Sequence, residues 1–416
     1  MSRVTFIPLM SDHAHAVAAV MRGNGVPAQV LPAPDAETLT IGLDLCRGRE
    51  CLPCFFCVGD IVRCCRQPGF DPATARFFLP TGPGPCRFGQ YSVLVRDVLE
   101  RLGLGQAEVV SPTTDDSYGR LGEHAGRIRR QSWQAIVAVD LLTKVLHEHR
   151  PYEREPGQSD LAYRDSLSQV VTACETGAGR RLVEVMRWTA RRFREVGVDR
   201  SKPRPLIGIL GEIYVMLNPQ SNRDLPRQVE EAGGEVLLGT LMDWLYFSDW
   251  RRKTLAVRFR RPKDLVRGWI SDLYQRAREY SLHRPLAGVL RHPRESPLAQ
   301  AMKLVEPHWD PMLGTEATLT MGRALDLARH GLAGIVNVLP FSCMPGTVVA
   351  GMAPRLRQAL HGLPWLDLLF DGQRETNIKT RLQAFMHQAW QWTGPSTVPG
   401  SEAPHREPAA ALRPLP

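Results

Sequence analysis

Short apolar runs alternate with amphipathic stretches in two separate parts of this 416-residue chain. In the first part, strands are predicted at 4–9, 28–31, 76–79 and 107–110, and helices between them at about 12–23, 51–65 and 88–102. Strands that alternate with helices are typical of βαβ units. The pattern therefore predicts an α/β protein with mostly parallel sheets.

The second part repeats this alternation after a long helical stretch at about 116–196. Its strands are predicted at 206–210, 235–238, 334–339 and 366–370, with a helical insertion at 242–282 and helices at 347–360 and 377–392. We expect an N-terminal α/β domain (1–115), a helical segment (116–200) and a second α/β domain (201–393). Residues 394–416 are proline-rich and lack periodicity, so we expect a disordered tail.

Six of the nine cysteines fall within twenty residues, an unusual density for a chain without a secretory signal. They are Cys46, Cys51, Cys54, Cys57, Cys64 and Cys65. An odd cysteine count in a large chain of this kind argues against a disulfide framework. Thiols this dense indicate metal ligands or redox groups, although any single one of them can be a small buried hydrophobe.

The overall composition argues against two classes of protein, those that span a membrane and those that bind nucleic acid. No run of about eighteen uncharged apolar residues is present, so we expect no membrane span, and we expect the protein in the cytoplasm. The formal net charge of +9 comes from short basic runs scattered over segments with helical periodicity. No aromatic platform lies among these runs, so solvated helix faces are favoured over nucleic-acid binding. A basic polyanion-binding protein with structural cysteines is the alternative.

Three cysteine positions share one predicted geometry. Cys51 and Cys54 lie at the entrance of a predicted helix, whereas Cys86 and Cys343 each follow a strand and precede a helix. Ligands gather at the carboxyl ends of parallel strands, where helix N-termini offer unpaired N–H groups and partial positive charge. We expect this field to lower the thiol pKa and favour an anionic cluster. The sequence therefore predicts convergence of these cysteines at a domain interface.

Other metal or redox sites compete with this interpretation. The run CLPCFFC resembles the start of a bacterial ferredoxin motif, but Ile61 and Val62 stand where a further cysteine and a proline are needed. A structural zinc site needs a second closely spaced Cys or His pair, and the sequence offers none. A thioredoxin-like redox pair at Cys51 and Cys54 lacks its usual surroundings.

Four segments carry a family resemblance. They are 48–53 (GRECLP), 82–91 (GPGPCRFGQY), 208–214 (GILGEIY) and 337–346 (NVLPFSCMPG). In this order they resemble the 2-hydroxyacyl-CoA dehydratase superfamily, and more closely its activase-associated branch. The similarity extends from about residue 3 to residue 392.

The resemblance implies two Rossmann-like domains with helical additions and a [4Fe-4S] cluster between them. Carried over residue by residue, it implies that Cys51, Cys86 and Cys343 hold the cluster, with Cys54 as fourth ligand or as an alternative to Cys51. The remaining cysteines near Cys51 leave open a larger cluster of the double-cubane type. These are Cys57, Cys64 and Cys65.

Three further residues are candidates for the same site. Arg87 and Gln90 stand beside Cys86 and could donate hydrogen bonds to sulfur or substrate, although Arg87 is equally compatible with a surface position. Glu212 follows a predicted strand and is either a pocket acid or base, or a cap for the next helix.

The resemblance also implies a function. A separate ATP-hydrolysing activator would supply a low-potential electron, which the cluster would pass to an acyl-CoA-type substrate. The chain has no G-x-x-x-x-G-K-[ST] loop, so ATP hydrolysis is expected on another polypeptide. The resemblance implies a second dehydratase-like subunit or a homodimer as well. The alternative is a non-catalytic iron–sulfur electron carrier or redox-regulatory partner.

Overall fold

A computed structural model describes residues 3–82, 84, 86–112, 124–292, 295–313, 315–372 and 377–392. The predicted tail at 394–416 and the start of the predicted helical stretch, 116–123, lie outside these ranges. None of the helices in the described ranges is both long and apolar enough to cross a bilayer.

The first α/β unit is built on a four-stranded parallel sheet with the order β2-β1-β3-β4. Its strands are β1 (Val4–Ile7), β2 (Ala28–Val30), β3 (Ala75–Phe78) and β4 (Glu108–Val110). Its helices are α1 (His13–Gly23), α2 (Ala36–Leu45), α3 (Leu52–Cys65) and α4 (Tyr91–Arg101). In the register, Thr5 lies opposite both Ala28 and Arg76. β1 is therefore a central strand, consistent with its apolar sequence.

Three long helices follow, and their apolar faces pack with α1 in one core on the N-terminal sheet. They are α5 (Ala125–His149), α6 (Gln158–Glu175) and α7 (Arg180–Arg194). Cys174 lies fully buried in this core, away from the cysteine-rich segment.

The second α/β unit repeats the topology of the first, with the sheet order β6-β5-β7-β8 and all strands parallel. Its strands are β5 (Leu206–Gly211), β6 (Glu235–Leu238), β7 (Gly334–Pro340) and β8 (Trp365–Phe370). Its helices are α8 (Ile213–Leu217), α9 (Pro219–Asn222), α10 (Leu225–Glu231), α11 (Leu241–Arg258), α12 (Pro262–His283), α13 (Leu298–Val305), α14 (Glu316–Ala328), α15 (Met344–Ala359) and α16 (Ile378–Gln391). The α/β class with two parallel sheets and long helical insertions is thus confirmed.

α3 lies between the two units and packs in a core that contains residues of both sheets. The ring of Phe56 on α3 stacks on Tyr214 of α8, with 6.1 Å between the ring centroids. At the same boundary, the side-chain amide of Asn218 donates to the carbonyl oxygens of Leu9 and Met10, both at 3.1 Å. Leu9 and Met10 follow β1, so the carboxyl ends of the two sheets meet here.

Candidate metal centre

One arginine connects the three cysteine segments of the two α/β units. Arg87 donates through Nη1 to the carbonyl oxygen of Arg49 and to the hydroxyl of Ser342, the latter at 3.4 Å. Arg49 lies two residues before Cys51, and Ser342 directly precedes Cys343. The structure therefore brings these two cysteine segments together with the loop of Cys86, although Ser342 is 255 residues from Arg87.

Each of the three cysteines stands at the start of a helix, as the sequence predicted. Cys51 is the N-cap of α3 and Cys343 is the N-cap of α15. Cys86 caps the 3-10 turn Arg87–Gln90, which leads directly into α4. The backbone N–H of Gly346 donates to the Cys343 sulfur at 3.5 Å.

Cys51 lies within electrostatic range of each of the other two thiols. Burial is the main cause that raises the pKa of Cys86 and that of Cys343. The charge of Cys51 makes a smaller contribution in the same direction to both. The hydroxyl of Tyr91, at the start of α4, lies 2.6 Å from the Cys51 sulfur. Arg87 thus brings the segments of the three cysteines together at the boundary between the two units.

The predicted lowering of the thiol pKa is wrong. Burial raises the pKa of Cys51, raises that of Cys86 to about 12 and raises that of Cys343. Desolvation of a charged sulfur here outweighs the hydrogen bonds that helix N-termini supply. Thiolates at this site therefore require a positive partner, and a metal centre supplies one.

Further thiols adjoin this group. A hydrogen bond that Cys54 donates to Cys46, and then burial, raise the pKa of Cys54, which lies one turn after Cys51 on α3. Cys57 is also buried and within range of Cys46 and Cys51. Sequence reasoning had given Cys46 no role, although its place five residues before Cys51 was the available signal.

Cys64 and Cys65 belong elsewhere. They stand at the opposite end of α3, about 20 Å from Cys51 at 1.5 Å of helix rise per residue. This distance removes both from any cluster that Cys51 holds. A larger cluster would need Cys57, Cys64 or Cys65 as further ligands. Of these three, only Cys57 is close enough to Cys51.

All nine cysteines are free thiols. Within the described ranges, no group of three or more His, Cys, Asp or Glu side chains surrounds the position of a single ion. A [4Fe-4S] cubane needs a different arrangement of ligands, because each thiolate binds a separate iron and the thiolates need not surround a single point. Free sulfur donors at helix N-termini, buried at Cys51 and Cys343 and half-buried at Cys86, are compatible with such a cluster.

Two glutamates share one helix N-terminus beside the thiols. Glu212 accepts from the N–H groups of Tyr214 and Val215 at 3.2 and 2.9 Å, and Glu316 accepts from the N–H of Ile213 at 2.9 Å. The charge of Glu212 contributes to raising the pKa of Cys51, Cys86 and Cys343, so it lies at the same site.

The carboxyl groups of Glu212 and Glu316 can keep a proton between them near pH 7, because both have a raised pKa. Burial raises the pKa of Glu212 to about 7, and burial followed by the charge of Glu212 raises that of Glu316 well above its usual range. Glu212 therefore caps α8, and its role as a pocket acid or base stays a prediction. Sequence reasoning missed Glu316, which stands roughly a hundred residues further along the chain.

Gln90 takes no comparable position. Its side chain is exposed and does not cap α4. Arg87 is exposed as well, but its guanidinium is tied to two segments of the site. Of the two residues beside Cys86, only Arg87 has contacts that support a role.

A cavity of about 160 Å³ opens between the start of α3 and the carboxyl end of β8. Leu52 and Phe56 of α3 line one side, and Phe370 at the carboxyl end of β8 lines another. Asp35 and Ser221 add polar groups at its wall. The cavity therefore offers both apolar and polar surfaces to a ligand, but none of the cysteines lines it.

Comparison of the chain with protein-family models found no match, and comparison with curated proteins found none. The family resemblance therefore rests on the four motif segments alone.

Proposed function

We propose that this chain is the [4Fe-4S] cluster-binding component of a system similar to the 2-hydroxyacyl-CoA dehydratases. The observation that carries the proposal is the bridge from Arg87 to Arg49 and Ser342. This bridge joins the segments of Cys51, Cys86 and Cys343 where the carboxyl ends of two parallel sheets meet. Such an edge is where open α/β folds bind their ligands.

The ligand set that fits is Cys51, Cys86 and Cys343, with Cys54 in reserve. When bound, a [4Fe-4S] cluster supplies one-electron transfer at low potential. The protein's own part is to hold the thiolates, to donate hydrogen bonds from Tyr91 and Gly346 to sulfur, and to keep water away. The nearby carboxyl groups of Glu212 and Glu316 hold a proton beside the site.

The proposal includes partners and a compartment. The electron would come from a separate ATP-hydrolysing activator, and the substrate would be an acyl-CoA-type thioester. A second dehydratase-like subunit or a second copy would complete the system. The nine free thiols favour a reducing cytoplasm.

The substrate part is tested on anaerobically reconstituted, reduced full-length protein by electron paramagnetic resonance. The spectrum is recorded with and without a panel of 2-hydroxyacyl-CoA thioesters, with free coenzyme A as the control. We expect at least one thioester, but not coenzyme A alone, to change the spectrum. A cluster spectrum that no thioester changes would instead support the non-catalytic electron carrier.

A further inference from the structure

The helix α12 packs with its polar side inward. Gln275 donates to Asp249 of α11 at 2.8 Å, and the hydroxyl of Tyr246 on α11 donates to Glu279. Asp272 pairs with Lys253 of α11. Hydrogen bonds and an ion pair, rather than apolar contacts, therefore hold this part of α12 on its neighbour.

The outward face of α12 is apolar over four turns. Its exposed fractions are 57% for Val266, 63% for Trp269, 65% for Ile270, 73% for Leu273 and 56% for Tyr280. Spacings of three, four and seven residues place these side chains on one face of the helix. The apolar face of α12 is thus directed toward solvent. In most amphipathic helices the apolar face packs into the protein's own core.

This apolar stripe is large for the surface of a monomer. With about 150–250 Å² for each aromatic side chain and somewhat less for each aliphatic one, the exposed fractions amount to roughly 600 Å². Contiguous apolar patches of this size mark interaction sites, whereas single exposed apolar residues do not. Two such stripes would bury roughly 1,200 Å², which reaches the lower limit for a stable interface.

The stripe is also centred on one residue. Val266 and Tyr280 lie seven residues before and after Leu273, the most exposed member. If two copies of α12 pair antiparallel about a two-fold axis at Leu273, Trp269 of one copy lies opposite the small Ala277 of the other. Val266 then lies opposite Tyr280. Such self-complementarity is the requirement for an isologous contact.

We propose that the exposed face of α12 is the interface of a homodimer, formed by antiparallel pairing of α12 with its copy about Leu273. The inference is independent of the metal centre, since none of these residues belongs to it. A lipid surface or a different protein would be the occupant if the chain does not pair with itself.

Sedimentation velocity on the full-length chain over micromolar concentrations tests the pairing. We expect the wild-type chain to be a dimer and Leu273→Asp to weaken the dimer on the order of 100-fold, because it places a charge at the centre of the contact. Val93→Asp is the matched control, since Val93 is 54% exposed on α4 and should leave the dimer unchanged. Circular dichroism checks that both variants keep their helices. A monomeric wild-type chain, or a Leu273→Asp dimer as tight as wild type, would overturn the proposal.

Oxidative cross-linking determines the direction of pairing. A cysteine introduced as Leu273→Cys meets its own copy at the two-fold axis and should give a covalent dimer well above the wild-type background. Val266→Cys should cross-link to Tyr280→Cys in a mixture and little to itself. Efficient cross-linking of Val266→Cys to itself contradicts the antiparallel arrangement. A wild-type monomer that co-sediments with anionic vesicles would assign the stripe to a membrane surface and overturn the homodimer.

Discussion

Tyr91 is the residue whose contact with the site is most specific. Its hydroxyl lies 2.6 Å from the Cys51 sulfur, and burial followed by the charge of Cys51 raises the pKa of Tyr91 well above its usual range. The phenol therefore stays protonated and donates to the sulfur. Hydrogen bonds to the sulfur atoms of a cluster are among the features that set its reduction potential.

Replacing Tyr91 by phenylalanine removes this donor and keeps the ring. We expect Tyr91→Phe to make the reduction potential of the reconstituted protein more negative, because the donor favours the more negatively charged, reduced state. The measurement is a redox titration followed by electron paramagnetic resonance. Tyr163→Phe is the control, since its hydroxyl bonds to Asp12 at 2.7 Å and Tyr163 lies in the core of α1 and the long helices. Equal shifts in both variants would contradict a specific role for Tyr91.

At the residue scale, the sequence predicted which cysteine segments meet, but not the chemistry of the thiols. Cys51, Cys86 and Cys343 could be chosen because each precedes a helix, a pattern visible in one dimension. Glu316 could not, because its contact with Ile213 depends on how distant segments pack. The pKa direction of the thiols failed for the same reason, since burial is a property of the folded chain.

The contact between α2 and α3 depends on two glycines. A Cβ at Gly42 would overlap the backbone of Phe55, and one at Gly59 would overlap the carbonyl oxygen of Thr38. The two helices therefore approach at backbone distance. This approach positions Cys46 at the end of α2 near Cys54 on α3.

Replacing Gly59 by alanine should force these helices apart. We expect Gly59→Ala to lower the free energy of unfolding by about 3 kcal/mol, the upper range for overpacking a core. Gly351→Ala on α15 is the matched control, because a Cβ there meets nothing within 4 Å. It should stabilise the protein by about 0.5–1 kcal/mol through helix propensity. Chemical denaturation measures both, and equal effects would contradict the close approach of α2 and α3.

The buried carboxyl group of Asp60 on α3 makes stability depend on pH. Burial raises its pKa from 3.8 to about 7, although Arg63 lies 3.7 Å away and Thr38 donates to it at 3.2 Å. Between these two values the folded chain holds a proton that the unfolded chain has lost. Stability should therefore fall as the pH rises through this window.

Asp60→Asn should remove this dependence. Relative to wild type, we expect the variant to gain roughly 2–4 kcal/mol between about pH 4 and pH 7, at about 1.4 kcal/mol per pKa unit. Denaturation at a series of pH values measures the difference. Asp97→Asn, at an exposed position on α4, should leave the wild-type slope unchanged. A slope that Asp60→Asn does not alter would show that Asp60 is ionised throughout.

At the element scale, strands and long helices could be predicted and short helices could not. The eight strands were predicted to within two residues at each end, because buried apolar runs bounded by turn residues are a strong signal. α2 was missed, since its Thr38, Thr40 and Ile41 weaken the helical pattern. Its signal was the cap, in which Asp35 accepts from the N–H of Thr38 at 2.9 Å.

At the scale of the whole molecule, two sheets of identical strand order meet at their carboxyl ends. This arrangement places Cys86 after β3 and Cys343 after β7 at one boundary, with α3 carrying Cys51 between them. The sequence predicted the two sheets from their alternating pattern. Their contact depends on side chains such as Asn218 and Arg87, whose partners are more than 200 residues away.

The iron content per chain after anaerobic reconstitution tests the central claim most directly. The wild-type protein should bind about four irons with as much acid-labile sulfide. Cys86→Ser and Cys343→Ser, which lie in different α/β units, should each lose most of this iron. Cys174→Ser, at a buried thiol far from the site, should keep it. A wild-type chain without iron, or Cys86→Ser and Cys343→Ser variants that retain it, would contradict the shared centre.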